Sequence, residues 1–351
     1  MSGTARLRPQ RRPAPWPALA AAILVWLLVL GSAARAAGDV TVEGNRFLRD
    51  GVPWVAEGVT LVGFVAPEDQ IGRAYGRARA LFGPELLDDI RAYGADVVRF
   101  QVSQTGLDPR SPFFDPDYRG QVLKVIRQTR KAGFNVIVSM QWQRPSGYKD
   151  PTGMPSATTR RAWRQLAGGL AEDRGILLEV FNEPALVKTS PENWERWRRD
   201  MQSLIDVLRK AGSQNVLLVG GLGFAHYFTG APELHDPFGQ LGYTVHPFLA
   251  PKSRTRAQWD ERYGDFAATH PVMATAFMAN SAFAQCRPTL PQETEALLAY
   301  LREKDIGLVL WAFDLPLFRK EGVLSTFDDF QCGPGHRGGA GEMIRDYFQS
   351  R

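Results

Sequence analysis

Leu177-Leu178-Glu179-Val180-Phe181-Asn182-Glu183-Pro184 decides how this chain is read. An apolar run ends abruptly in Asn-Glu-Pro. Such a run reads as a buried strand that delivers one carboxylic acid, with an amide beside it, to the mouth of a fold. The stretch is flanked by amphipathic segments, Thr158 to Asp173 before it and Pro191 to Ala211 after it. The strand itself is read as Ile176 to Phe181.

The same unit recurs outward in both directions: amphipathic helix, glycine stop, apolar strand. Pro84 to Tyr93 reads as a helix with proline at its start and Gly94 at its end, followed by a strand from Ala95 to Val102. Asp115 to Ala132, closed by Gly133, leads to Phe134–Gln141. Downstream come the strand Asn215–Gly220 and the pair Pro291–Lys304 with Ile306–Phe313. Two further strands, Leu241–His246 and Pro271–Phe277, are joined by a helix around Trp259 to Thr269. With Trp54 to Val62 as the first, the count is eight strands. They are continuous apolar runs, as expected when both faces are buried. That alternation predicts an α/β fold, a closed (β/α)8 barrel. The alternative, an open doubly wound sheet, would be expected to carry Gly-x-Gly-x-x-Gly after its first strand, and none is present. Ahead of the barrel, Val40-Thr41-Val42 and Phe47-Leu48 flank Glu43-Gly44-Asn45-Arg46 as a short β-hairpin, and Asp50-Gly51 makes a second turn.

Residues 1–36 read as a secretory signal peptide. Arg6, Arg8, Arg11 and Arg12 form a basic start, Ala18 to Leu30 is an uncharged apolar run, and Ala34-Arg35-Ala36 is a small-x-small cleavage site. Arg11-Arg12 lacks the preceding Ser and following Phe-Leu of a twin-arginine signal, which points to the general secretory route. An uncleaved anchor is the alternative, but the run falls short of the ~20 residues of a spanning helix. Cleavage leaves residues 37–351 as a single barrel domain, exported to the periplasm or beyond the cell, with no stable membrane span. The chain's formal net charge is +5, and residues 1–36 contain five Arg and no Asp, Glu or Lys, so the remainder is neutral. The basic pI therefore says nothing about nucleic acid, and no basic, aromatic-interleaved patch is present. The two cysteines, Cys286 and Cys332, have no zinc-site spacing. In an exported protein they are expected to pair, a cross-link worth about 4 kcal/mol on the chain-entropy account. The histidines are scattered and no carboxylate cluster resembles a cation loop, so neither metal nor cofactor is expected.

In a barrel of this kind the site lies where the strands end at their C-termini. Those ends supply Arg99, Gln101 and Ser103; Gln141-Trp142-Gln143; Asn182 and Glu183; His226 and Tyr227; Tyr243, His246 and Phe248; and Trp311 and Asp314. Aromatic faces beside polar groups suit a sugar ring, with its apolar C–H faces and belt of hydroxyls. A lone carboxylic acid beside an amide suits protonation of a glycosidic oxygen.

These strand ends resemble family 5 of the glycoside hydrolases, the cellulase family A, over nearly the whole chain after the signal. The resemblance implies that Glu183 is the general acid/base and that Asn182 binds a sugar 2-hydroxyl. It further implies site roles for Arg99 on the second strand, His246 after the sixth and Trp311, a stacking platform, on the eighth; Trp142 is counted as substrate-binding with them. The implied partner is a poly- or oligosaccharide. The family's nucleophile is a Glu near the end of strand seven, and Pro271 to Phe277 aligns there with Ala276 at that position. A retaining glycosidase needs two carboxyls about 5–5.5 Å apart. Three readings follow: another carboxylate fills in, with Glu57, Asp314, Glu321, Asp328 and Asp329 as candidates; the pocket binds glycan without cleaving it; or Glu183 serves a different transfer. Arg99, without the nucleophile it would hold, is expected to find a substitute, with Glu57 the best placed, or a bound anion. Trp163, Trp194 and Trp197 lie at core spacing on helices and carry no functional role.

Overall fold

The computed structural model describes residues 37–142, 153–279, 288–314 and 339–350, besides Met1 and Gly3. The chain opens with β1 (Val40–Glu43), β2 (Arg46–Arg49) and β3 (Val52–Pro53), an antiparallel sheet in that order. The predicted hairpin thus has a third strand. Asp50 and Gly51 both take left-handed backbone (φ 53° and 75°), which turns the chain back onto β2.

Eight parallel strands follow and close on themselves: β4 (Glu57–Leu61), β5 (Val97–Ser103), β6 (Asn135–Gln141), β7 (Ile176–Glu179), β8 (Leu217–Gly220), β9 (Leu241–Val245), β10 (Val272–Phe277) and β11 (Gly307–Leu310). The (β/α)8 barrel read from the sequence is therefore present. Helices alternate with the strands at the predicted places, among them Pro84–Ala92, Tyr118–Lys131, Ala157–Leu166, Pro191–Lys210 and Pro291–Glu303. The first two are ended by Gly94 and Gly133, both left-handed (φ 101° and 92°), a conformation that glycine adopts without steric cost. The helix expected around Trp259 is split into Arg256–Trp259, a π-turn Asp260–Gly264 and Asp265–Ala267. Among the described residues, the longer helices Arg73–Leu81 and Ala340–Gln349 and the single turns Gln104–Leu107 and Leu222–Ala225 escaped the sequence reading.

The barrel interior is built in layers. Val97, Ile137, Leu177, Leu218, Met273 and Val309, one from each of six strands, form an apolar cluster with Val40, Phe47, Trp54 and Ala56 of the N-terminal segment. The small sheet therefore plugs the end of the barrel where the strands begin. Gly242 leaves room for this plug: a Cβ there would meet the Phe47 ring at 2.6 Å. Two residues further along the same strands the interior turns polar, with Arg99, Ser139, Glu179 and Thr275, joined by Thr60 and Thr244 from β4 and β9, all buried. The period of two along a strand places these side chains on the face occupied by the apolar layer below.

Outside the barrel, the strands' other faces pack on the helices in one large core. Trp163 and Trp197 are fully buried there and donate Nε1–H to the carbonyls of Val180 and Gly220, each at 2.8 Å. Each contributes about 1.5–3 kcal/mol by burial, and each ties a helix to the strand that carries the site. Among the described residues no helix is long and apolar enough to cross a membrane.

Candidate active site

β7 carries the chain from the apolar layer at Leu177, through the polar layer at Glu179, to the mouth of the barrel at Asn182 and Glu183. The Asn182 N–H continues the ladder by donating to the Met140 carbonyl at 2.9 Å. At Glu183 the backbone turns left-handed (φ 55°). A residue with a Cβ, placed before a proline, is held there only by its surroundings. Two hydrogen bonds hold the turn: Trp142 donates Nε1–H to the Glu183 carbonyl (3.2 Å), and the Ala185 N–H donates to the Gly153 carbonyl (2.9 Å).

Beneath Glu183 lies a continuous polar network. Arg99 is wholly buried and donates Nε–H to Glu179 Oε2 (2.6 Å) and Nη2–H to Ser139 Oγ (2.9 Å) and Asn182 Oδ1 (2.7 Å). Asn182 is thereby oriented with its amide nitrogen unpartnered among the described residues. Among the described residues, Arg99 Nη1 is buried without an acceptor, and the hydroxyl of Thr60, its register neighbour on β4, without a partner. The other Glu179 oxygen accepts from Thr275 (3.1 Å) and Thr244 (3.5 Å). Burial alone would raise the Glu179 pKa, but the Arg99 charge and the hydrogen bonds from His246 and Arg99 outweigh it and hold the carboxyl at about 2. Glu179 is a permanent anion.

His246 links this buried layer to the acid. Its Nδ1 lies 2.9 Å from Glu183 Oε1 and its Nε2 3.2 Å from Thr275 Oγ1, with Glu179 Oε1 at 3.7 Å. Burial acts to lower the imidazole's pKa; the hydrogen bonds to Glu179 and Glu183 overcome it and raise it above the ordinary value. As imidazolium it donates at both nitrogens, to Glu183 and to Thr275, whose hydroxyl donates on to Glu179. Arg99, Glu179, Thr275, His246 and Glu183 thus form one connected chain, with donors converging on Glu179 from Arg99 and Thr275 and diverging from His246. Its last member alone reaches the cleft, with 20 % side-chain exposure against 0–1 % for Arg99, Glu179 and His246.

Ala276 is the penultimate residue of β10 and is 3 % exposed. Against β11 the register runs Ala274 to Leu308 and Phe277 to Leu310, three steps opposite two, so Thr275-Ala276 carries a bulge at the mouth of the barrel. Trp311, half-buried just past β11, donates Nε1–H to Gln101 Oε1 (3.4 Å) and begins a cis peptide to Ala312.

The structure brings Arg99, Asn182, Glu183 and His246 together and corrects four expectations. Glu57 is the first residue of β4, so it stands at the end of the barrel away from Glu183 and is not a substitute carboxylate. Asp314 accepts from the Val62 and Gly63 N–H groups at 2.8–2.9 Å; both oxygens are engaged in pinning the end of β4. The ion-pair partner of Arg99 is not Glu57 but Glu179, which the sequence reading passed over. Trp142 is 4 % exposed and stacked against Phe181 (6.5 Å, 7° between planes), so it supports the turn that carries Glu183 rather than offering an open face to sugar. Among the described residues, the carboxylates on barrel strands or within four residues beyond them are Glu57, Glu179, Glu183 and Asp314. Glu321, Asp328, Asp329, Cys286 and Cys332, and the signal segment, lie outside the described residues.

Comparisons agree with this architecture. The sequence matches the family model for cellulase, glycosyl hydrolase family 5, over residues 75–315. It is 26 % identical over 110 residues to a cellulase from a Thermoanaerobacterium species; the match covers 30 % of this chain and spans only 28 % of that relative's length. In fold the chain is similar to a beta-glucanase from Saccharophagus degradans solved in complex with cellotetraose, with a TM-score of 0.64 and 18 % identity over 90 % of this chain and 94 % of that one. It is similarly close to the catalytic domain of a Thermobifida fusca endoglucanase, with a TM-score of 0.64 and 18 % identity over 89 % and 97 % of the two chains.

Proposed function

This chain belongs to the cellulase family, glycosyl hydrolase family 5, and we propose on that premise that it acts on O-glycosidic bonds of a poly- or oligosaccharide with Glu183 as general acid/base. The observation that carries the reading is the Glu183–His246 contact of 2.9 Å at the mouth of the barrel, with Asn182 fixed alongside by Arg99. Glu183 protonates the departing glycosidic oxygen, and His246 serves as the proton-bearing neighbour that re-sets it. The Asn182 amide nitrogen is left to donate to a sugar hydroxyl, and the Trp311 ring to stack on a sugar face. Export follows from the signal-like residues 1–36, and the remainder is read as one domain.

In this reading Ala276 occupies the seat of the nucleophile. A methyl group cannot attack an anomeric carbon, so double displacement through a glycosyl-enzyme is closed. Support comes from Arg99, whose buried Nη1 lacks an acceptor, as it would after loss of a facing carboxylate. Attack then falls to water directly, or to a group that the substrate itself brings. A second reading, a glycan-binding protein without turnover, is favoured by the placement of Glu57, Asp314 and Glu179, none of which is available as a second catalytic carboxyl.

The deciding experiment is incubation of the protein, from Ala37 onward, with β-glucans, mannans and aryl glycosides, with Glu183→Gln as control. Turnover that disappears in the control supports the hydrolase. Binding retained in both without turnover supports the second reading, and neither binding nor turnover on any glycan overturns both.

A further inference from the structure

The loop after β8 is strained, and the strain is spent on placing His226. Gly223, Phe224 and Ala225 are all left-handed (φ 63°, 63° and 62°). Glycine adopts this freely, whereas Phe224 and Ala225 are held there against their Cβ atoms. The restraints are backbone hydrogen bonds to the two neighbouring loops. Gly223 N–H donates to Leu186 (2.8 Å), Phe224 N–H to Pro184 (2.8 Å), and the Ala225 carbonyl accepts from His246 N–H (2.8 Å). One loop therefore clasps both the segment that follows Glu183 and the backbone of Glu183's histidine partner.

His226 sits at the end of that clasp. Its ring centroid is 6.5 Å from that of Phe248, which lies 6.2 Å from His246, and 6.4 Å from that of Tyr227. Its Nδ1 lies 3.0 Å from the Phe224 carbonyl. A carbonyl only accepts, so Nδ1 carries the hydrogen and Nε2 of the neutral ring carries a lone pair. No described residue donates to Nε2. Burial, then the charge of His246 and more weakly of Arg262, pull the His226 pKa below the ordinary value, against the Phe224 and Gly223 carbonyls that pull it up. Arg262 lies over the adjacent Tyr227 ring (4.3 Å), and Glu183 faces His246 rather than His226.

Elsewhere on this wall Asn182 offers its amide nitrogen, a donor, while both His246 nitrogens are already engaged with Glu183 and Thr275. A sugar hydroxyl is itself a donor and needs acceptors, and Phe248 and Tyr227 supply apolar surface for its C–H face. We propose that His226 is a substrate-binding residue that accepts a hydrogen bond from a sugar hydroxyl at Nε2, on the wall of the cleft shared with Glu183 and His246. The proposal rests on the glycan reading of the site given above.

Two measurements test it. Nitrogen-15 NMR of the histidine rings, on the unliganded protein, is expected to show His226 at neutral pH protonated on Nδ1 and bare on Nε2; a proton on Nε2 overturns the proposal whatever the site binds. Calorimetric binding of cellotetraose, with mannotetraose as second probe, is then compared among wild type, His226→Gln and His226→Phe. The glutamine keeps an acceptor that does not titrate, and the phenylalanine keeps a ring with none. His226→Phe is expected to weaken binding about tenfold, the worth of one hydrogen bond. His226→Gln is expected to bind comparably to wild type at pH 7 and to lose less affinity as the pH is lowered through the His226 midpoint measured by NMR, because protonation of His226 abolishes its acceptor. Wild-type affinity in His226→Phe, or identical pH profiles in wild type and His226→Gln, overturns the assignment while leaving the glycan reading intact. If wild type binds neither probe, the glycan reading fails for these sugars and His226's role falls with it. Should His226→Phe fail to fold, the glutamine pH comparison and the NMR result decide.

Discussion

Arg99 on β5 and Glu179 on β7 form a fully buried ion pair, Nε to Oε2 at 2.6 Å, within the polar layer of the barrel interior beneath Glu183. Neither charge sees water, so each is tolerated only because the other is present. Removing one partner strands the other: Glu179→Gln is expected to lower stability by about 3–5 kcal/mol in urea denaturation. The pH dependence has a definite sign. Glu179's folded pKa, about 2, lies below the ordinary carboxylate value, so its contribution is complete above about pH 4.5 and is lost as pH falls toward 2. Wild type should therefore lose stability over that window more steeply than Glu179→Gln, and parallel curves would show the pair to be inert.

His246 and His226 are expected to titrate on opposite sides of the ordinary histidine value, His246 above it between two carboxylates and His226 below it. For His246, whose folded pKa is raised, the stabilising contribution is complete below the unfolded value near 6.5 and is lost as pH rises through the folded one. Histidine NMR titration separates the two, and a shared midpoint would contradict the network drawn here.

Trp311→Ala is expected to weaken glycan binding about three- to tenfold, as loss of one aromatic contact should. Quenching of tryptophan fluorescence by glycan is the readout, and an unchanged affinity would give Trp311 a purely structural part.

Cys286 and Cys332 are expected to be joined. Thiol titration of the exported, denatured and unreduced protein should find no free thiol, and two would remove the cross-link.

The closed barrel was legible because its strands are apolar on both faces and its helices carry proline starts and glycine stops. Glu183 and Asn182 were legible because they end such a run. What escaped was the layer one step inside. Glu179 stood in the same octet as Glu183, and a carboxylate within a fully buried strand demands a cation; Arg99, in a second buried strand, was that cation. The layer of Arg99, Ser139, Glu179 and Thr275, one residue from each of four strands, was masked by the apolar residues that flank each of them along its strand. Glu57 was misplaced because its strand was read as starting at Trp54 and the order of residues along it was not weighed: it opens the strand, and only residues that close one reach the site. Trp142 was readable as a strand-end aromatic, but only the fold reveals that the turn at Glu183 covers it.

On the proposed reading, Ala276 stands where a second carboxylate would complete an otherwise assembled glycosidase site. The test is Ala276→Glu, with turnover of β-glycosides followed by NMR of the anomeric product. The variant is expected to gain or greatly increase hydrolysis with retention of configuration, and adding Glu183→Gln is expected to abolish it. An Ala276→Glu protein that folds, binds every glycan bound by wild type and remains inert on all of them would contradict the claim.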